Sequence, residues 1–167
     1  LEKFGLDAGP SSFRYLGNRP SPKTEKDKSD FLETMACLSN VGLSLEQQNI
    51  IMGISAAVLH IGNVTFEEGE NEDHSAVIAK ESLPSLQKAC ELLGLDESTV
   101  SDAMLTKLLT INGKSIKKPS TVAMAEDRRD ALAKMTYSSL FLWLVKSINQ
   151  TLGGQENDDK FVSEIVI

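Results

Sequence analysis

Residues 41 to 66 read VGLSLEQQNIIMGISAAVLHIGNVTF, and most of the fold follows from how this stretch starts, fills and stops. Ser44-Leu45-Glu46-Gln47 fits a capping box. A serine hydroxyl takes an amide hydrogen left over at a helix start, and a glutamine three residues on reaches back to the serine amide. Behind it, Ile50, Ile51, Ile54, Ala57, Val58, Leu59 and Ile61 are apolar on more than one face, which suits a helix buried among others. Gly62 and Asn63 end it, and Val64 to Phe66 is short and β-prone. Glu67, Glu68, Glu70, Glu72 and Asp73 then surround Gly69 and Asn71. So many like charges repel one another and belong on a solvated loop. Ala76 to Ala79 reads as a short strand that pairs back.

Upstream, residues 9–28 (GPSSFRYLGNRPSPKTEKDK) are rich in proline, glycine and charge and read as an irregular surface loop. Phe13, Tyr15 and Leu16 are the residues expected to pin it to a core. Ser29 is expected to cap a helix carrying Phe31, Met35 and Leu38, stopped by Gly42. Downstream, Pro84 suits a first helical turn and Gly94 the matching stop, with Leu86, Ala89, Cys90 and Leu93 as the apolar stripe. Asp96 caps a short helix to Leu105. Leu108–Ile111, Asn112-Gly113 and Lys114–Lys117 read as a β-hairpin, because Asn-Gly suits a two-residue turn with positive φ at both positions.

After Pro119, Ser120 or Thr121 caps a helix running to about Leu152, before Gly153-Gly154. At 1.5 Å per residue it would span ~45 Å, longer than a small domain is wide. Its Leu132, Phe141, Leu144 and Ile148 are expected to pack on Ile50, Ile54 and Val58. The chain opens on Leu1 and closes on an apolar strand pattern, Phe161 to Ile167, so it reads as an excerpt of a larger body.

In the 167 residues, 41% are hydrophobic and 25% charged, which supports a packed core. Lysines and arginines number 17 against 24 acids, a net charge of −7 that argues against nucleic acid as a partner. No apolar run reaches the ~18 residues of a membrane span, so no membrane contact is evident. Cys37 and Cys90 read as buried thiols, without the spacing of a zinc site. His60, at a helix end, reads as structural and His74 as solvated, so no Ser-His-Asp arrangement is available. GxxxxGK[ST] and GxGxxG are absent from the sequence. Asp127-Arg128-Arg129-Asp130 reads as ion pairs within one helix. The expectation is therefore no catalytic, cofactor-binding or metal residue in this stretch. The charge pattern says more: between Asp102 and Glu126 there is no acid, yet there are Lys107, Lys114, Lys117 and Lys118. Such a basic hairpin is either a solubilising edge or a docking loop for an acidic surface.

Taken together, these stretches resemble the myosin motor head. Val41 to Phe66 is similar to the family's E-Q pair followed by A-x-LHLGN-x-x-F, and Arg129 to Asn149 (RDALAKMTYSSLFLWLVKSIN) to its RDALAK-x-x-Y-x-x-LF-x-WLV-x-x-IN. The opening LEKFGLD with the later FRYL resembles a further family segment, and order and spacing agree throughout. The resemblance implies a mainly α fold: a helical subdomain excerpt of a larger α/β P-loop motor head, partial over residues 1–167, with short β-hairpins and one C-terminal strand. It implies a cytoplasmic, cytoskeletal protein that couples ATP hydrolysis to movement along actin filaments. Magnesium ATP would belong to the parent chain, and the partners would be the actin filament and the remainder of the motor head. A non-catalytic helical interaction module, or a degenerate head, is the alternative.

The resemblance also implies two actin-facing loops. Glu67, Glu68, Glu70, Glu72 and Asp73 fall in the family's loop 4. Lys107, Asn112, Gly113, Lys114, Ser115, Lys117 and Lys118 fall in the loop named for cardiomyopathy. Many myosins carry Thr, Ser, Glu or Asp at one position there, whose negative charge, sometimes from phosphorylation, promotes actin-activated turnover. Aligning on Pro119 and Asp130 puts Lys114 at that position, a departure from the pattern, with Ser115 beside it.

Overall fold

The computed structural model describes residues 2–17, 25–70, 74–111 and 114–153. It is mainly helical: α1 (Glu25–Asn40), α2 (Leu45–Gly62), α3 (Leu83–Leu93), α4 (Glu97–Leu105) and α5 (Val122–Gly153). Two antiparallel hairpins interrupt them, β1 (Phe66–Glu68) with β2 (Ala76–Ile78) and β3 (Thr106–Ile111) with β4 (Lys114–Pro119). The expected C-terminal strand, Phe161 to Ile167, lies outside the described residues, as does the Asn112-Gly113 turn.

Local chemistry accounts for the helix boundaries. At α2, Gln47 N–H donates to Ser44 Oγ at 3.2 Å, and Gln47 Oε1 accepts from Ser44 N–H at 2.8 Å. α1 ends at Gly42, with φ +83°; Gly42 N–H donates to Ser39 C=O and Leu43 N–H to Leu38 C=O. That pair of bonds satisfies two carbonyls the helix leaves over, and glycine takes the left-handed turn without a Cβ penalty. Buried Gln48 fastens the corner, donating from Nε2 to Leu43 C=O at 2.8 Å and to Ser39 Oγ at 3.0 Å. α4 starts at Asp96, whose carboxylate accepts from Ser98 and Thr99; these bonds hold it below the usual carboxylate range.

α5 is the spine. Its 32 residues run ~48 Å past two apolar clusters. One gathers Ile61, Val64, Leu86, Ala89, Cys90, Val100, Met104 and Ala133, with Val58 and Leu132 at its margin. The other joins Leu140 to Leu43 and Ile51, with Ile54 and Leu144 beside them. The helix packing expected from the sequence is therefore present through Leu132, Leu144, Ile54 and Val58. Phe141 and Ile50 depart from it, at 44% and 51% exposed. Each is next in sequence to a residue that does pack, Leu140 and Ile51, so the contact line keeps Leu144 and Ile54 and passes beside Phe141 and Ile50.

Other expectations shift for similarly local reasons. α1 begins at Glu25, not after Ser29, because Glu25 and Asp27 suit a first turn and Lys26 and Lys28 are good helix formers. Cys37 is exposed, since α1 buries no residue, while Cys90 is buried and its thiol pushed up by burial. Of the three residues expected to pin the opening loop, Phe13 is buried and Leu16 exposed, while Tyr15 holds on by its hydroxyl.

Candidate functional site

The basic hairpin stands where α4 passes into α5. Its register sets Lys107 opposite Lys118, Leu108 opposite Lys117 and Leu109 opposite Ile116. Like charges directly opposite cost a strand pair stability, so the Lys107–Lys118 rung is one that local pairing alone does not favour. Side chains alternate across a strand, which puts Lys117 on the other face; there its Nζ lies 2.6 Å from Asp102 Oδ2 of α4. Lys107, Lys117, Lys118, Leu108 and Ile116 are all exposed. Lys114 and Ser115 are placed by strand register, opposite Ile111 and Thr110.

The acidic hairpin is its neighbour. Glu67 and Glu68 lie on β1, exposed, and Glu70 follows. His74 is exposed, with Nδ1 3.6 Å from Glu68 Oε2 and a φ of +48°. Glu72 and Asp73 lie outside the described residues. The two hairpins share a root. Ser120 N–H donates to Leu105 C=O, and Ala76 N–H donates to Ser120 C=O, both at 2.8 Å.

A second cluster was not legible as such in the sequence. Arg129 is 0% exposed. Its Nε donates to Asp130 Oδ1 at 2.8 Å and one terminal nitrogen to Val64 C=O at 2.9 Å. Tyr15 O–H donates to the same Asp130 oxygen at 2.6 Å. Nearby, Arg14 N–H donates to Asn63 Oδ1, and Asn63 Nδ2 to Ser12 C=O. So the Asp-Arg-Arg-Asp run makes tertiary bonds as well as the expected ion pairs within α5, Arg129 with Glu126 at 3.9 Å and with Asp130. The helical wheel carried a sign of this: Ala125 and Ala133, four residues either side of Arg129, are both buried. His60 is structural as expected but through a different partner. Its Nε2 lies 2.9 Å from Phe4 C=O and, facing a carbonyl, carries the proton; the ring of Phe13 meets it edge-on.

Charge follows this geometry. Burial, then the bond to Asp130, pushes the Tyr15 phenol up to about 12. The Arg129 bond, with Tyr15's added, holds Asp130 below the usual carboxylate range. Tyr15 therefore stabilises the fold fully below its ordinary value of ~10, and that contribution is lost as pH rises through about 12. Asp130's contribution is present above ~3.9 and lost as pH falls below it. In a Tyr137→Phe background Tyr15 is the sole tyrosine. Ultraviolet titration should then give a midpoint near 12. Asp130→Asn should bring it down only partly, because burial remains. A midpoint at ~10 would contradict the arrangement.

A family model described as "Myosin head (motor domain)" matches residues 1–166. The chain belongs to the myosin head family. It is 35% identical to Myosin-6 of Arabidopsis thaliana over 164 residues, covering 97% of this chain and 11% of that protein. It is 34% identical to Myosin-16 of the same plant over 169 residues, covering 100% of this chain and 14% of the relative. This myosin head chain thus spans about a tenth to a seventh of the relatives it matches. The sequence has no phosphate loop, and among the described residues no three His, Cys, Asp or Glu side chains converge as a metal site. No helix among them is long and apolar enough to cross a membrane.

Proposed function

We propose that this chain is an actin-facing part of a myosin motor head, presenting the β3–β4 and β1–β2 hairpins to the filament on a frame of α2 and α5. In the longer cytoskeletal protein, magnesium ATP would be held and hydrolysed by other segments, and movement along actin would draw on both. The observation that carries this reading is the basic hairpin itself: exposed Lys107, Lys117 and Lys118 on a chain whose net charge is −7. An acidic filament surface is attracted to that hairpin while the rest of the chain repels it. By the same resemblance Lys114 stands at the position at which charge tunes turnover in the family, with Ser115 beside it.

The double reversal Lys107→Glu with Lys118→Glu, in the motor head, tests it by steady-state ATPase against actin concentration. Each exposed charge contact is worth ~0.5–1 kcal/mol, so apparent actin affinity should fall roughly tenfold at low salt. The deficit should shrink as salt screens the charges. An unchanged affinity at low salt would make the hairpin a solvated edge.

A further inference from the structure

The basic hairpin meets the long helix at the corner between α4 and β3, and one side chain of α5 bonds across it. α4 ends at Leu105, where its last carbonyls lack partners within the helix. Arg128, on the second turn of α5, reaches them. Its guanidinium donates to Thr106 C=O and, at 3.4 Å, to Ala103 C=O. Both bonds come from one terminal nitrogen, whose two hydrogens lie in the guanidinium plane and so are fixed in direction, where a lysine's rotating ammonium is not. On the far side of the same corner, Thr106 Oγ donates to Asp102 C=O at 2.8 Å, and Asp102 holds Lys117. Ser120, 1% exposed, ties the end of β4 to Leu105 and receives the amide of Ala76 from the acidic hairpin. Only Ser120 and Thr121 separate β4 from α5, and Arg128 adds a direct side-chain tie from α5 to this corner beside the Ser120 bond and the Lys117–Asp102 pair.

We infer that Arg128 is the positioning residue of the charged surface, locking the α4–β3 corner to α5 so that both hairpins take their direction from the long helix and move as one body. Its consequence for partner contact rests on the actin reading above; its geometry does not. Arg128 touches no partner in this scheme. It acts through Thr106 and Ser120.

Hydrogen exchange on the motor head, read by mass spectrometry, tests this with Arg128→Met, which keeps an apolar stem and loses the donors, and with Arg128→Lys. Arg128→Met should speed exchange roughly tenfold across Thr106–Pro119 and at Ala76, as eased local opening of one cooperative unit does, while α3 stays as protected as before. Arg128→Lys should fall between. Unchanged hairpin exchange, or equal acceleration in α3, would overturn the inference. Actin titration of the same variants separates the two readings. If Arg128→Met loosens the hairpins and the lysine reversals leave actin affinity unaltered, the positioning role stands and the actin reading fails. If the reversals weaken binding and Arg128→Met leaves the hairpins tight, the actin reading stands and the positioning role fails.

Discussion

Arg129→Ala should destabilise the protein by about 3 kcal/mol, measured as a shift in the midpoint of chemical denaturation. Breaking a buried ion pair by removing one partner costs ~3–5 kcal/mol, because the other charge and its hydrogen-bond partners are left uncompensated. Here Asp130 would lose the Nε donor at 2.8 Å, and Val64 C=O the guanidinium donor at 2.9 Å. The value sits at the lower end for two reasons. Asp130 is 37% exposed, so water recovers part of its solvation. The second terminal nitrogen of Arg129 has no partner among the described residues, and alanine removes that burden. Asp130→Asn combined with Arg129→Ala should cost less than the sum of the two alone, as members of one network do. Additive losses would show that the pair is not coupled.

Gly62→Ala should cost about 2 kcal/mol, reversing the usual sign. Within a helix, glycine to alanine ordinarily gains up to ~1 kcal/mol, less at a last residue such as Gly62. Here the added Cβ would lie 2.5 Å from Tyr15 Cδ2 and 2.6 Å from Cε2, closer than side-chain atoms approach one another. The ring must leave the α2 surface, and its hydroxyl then leaves Asp130. Overpacking of this kind costs ~1–3 kcal/mol, and a hydrogen bond to a charged group contributes ~1.5–3 kcal/mol, partly recovered by water. Thermal unfolding by circular dichroism reads the loss, and the Tyr15 titration midpoint should fall from about 12 toward the ordinary tyrosine value in the same variant. A stabilised Gly62→Ala protein would show that the ring does not rest there.

What could be read from the sequence divides along the range of the forces involved. The Ser44 capping box, the Gly42 and Gly94 stops, the Asp96 cap and the β3–β4 pairing are decided within a few residues, and each is where the local chemistry put it. The burial of Leu140 and Ile51 in place of Phe141 and Ile50 depends on which neighbour arrives, and period alone does not choose between adjacent positions at the edge of a stripe. Exposure of Cys37 has the same origin: thiols are most often buried, but α1 buries no residue, and Cys37 lines an open cleft that Ile148 of α5 borders. The Arg129 cluster was hardest to read, since its bonds run to Val64 and Asp130, and through Asp130 to Tyr15, across most of the chain. Of the expected contact residues, the exposed lysines and glutamates on the strands could be placed because alternation and turn chemistry place them; their relation to each other came from the Ser120 peptide, which no spacing rule announces.

The bond between Tyr15 and Asp130 spans 115 residues, which makes it a matter of timing as well as geometry. At a synthesis rate of ~5–20 residues per second, the tyrosine waits roughly 6 to 23 seconds for its acceptor to be made. Throughout that interval α2 can form and cap itself, but the surface around Gly62 where the ring will lie has no cover. Contacts so distant along the chain carry a large closure entropy and form late. Ser12 and Arg14 can bond Asn63 as soon as α2 is made, so it is the Tyr15 ring that waits for Asp130, and nascent chains halted before residue 130 should hold the turn at Tyr15 less firmly against protease than chains that include it.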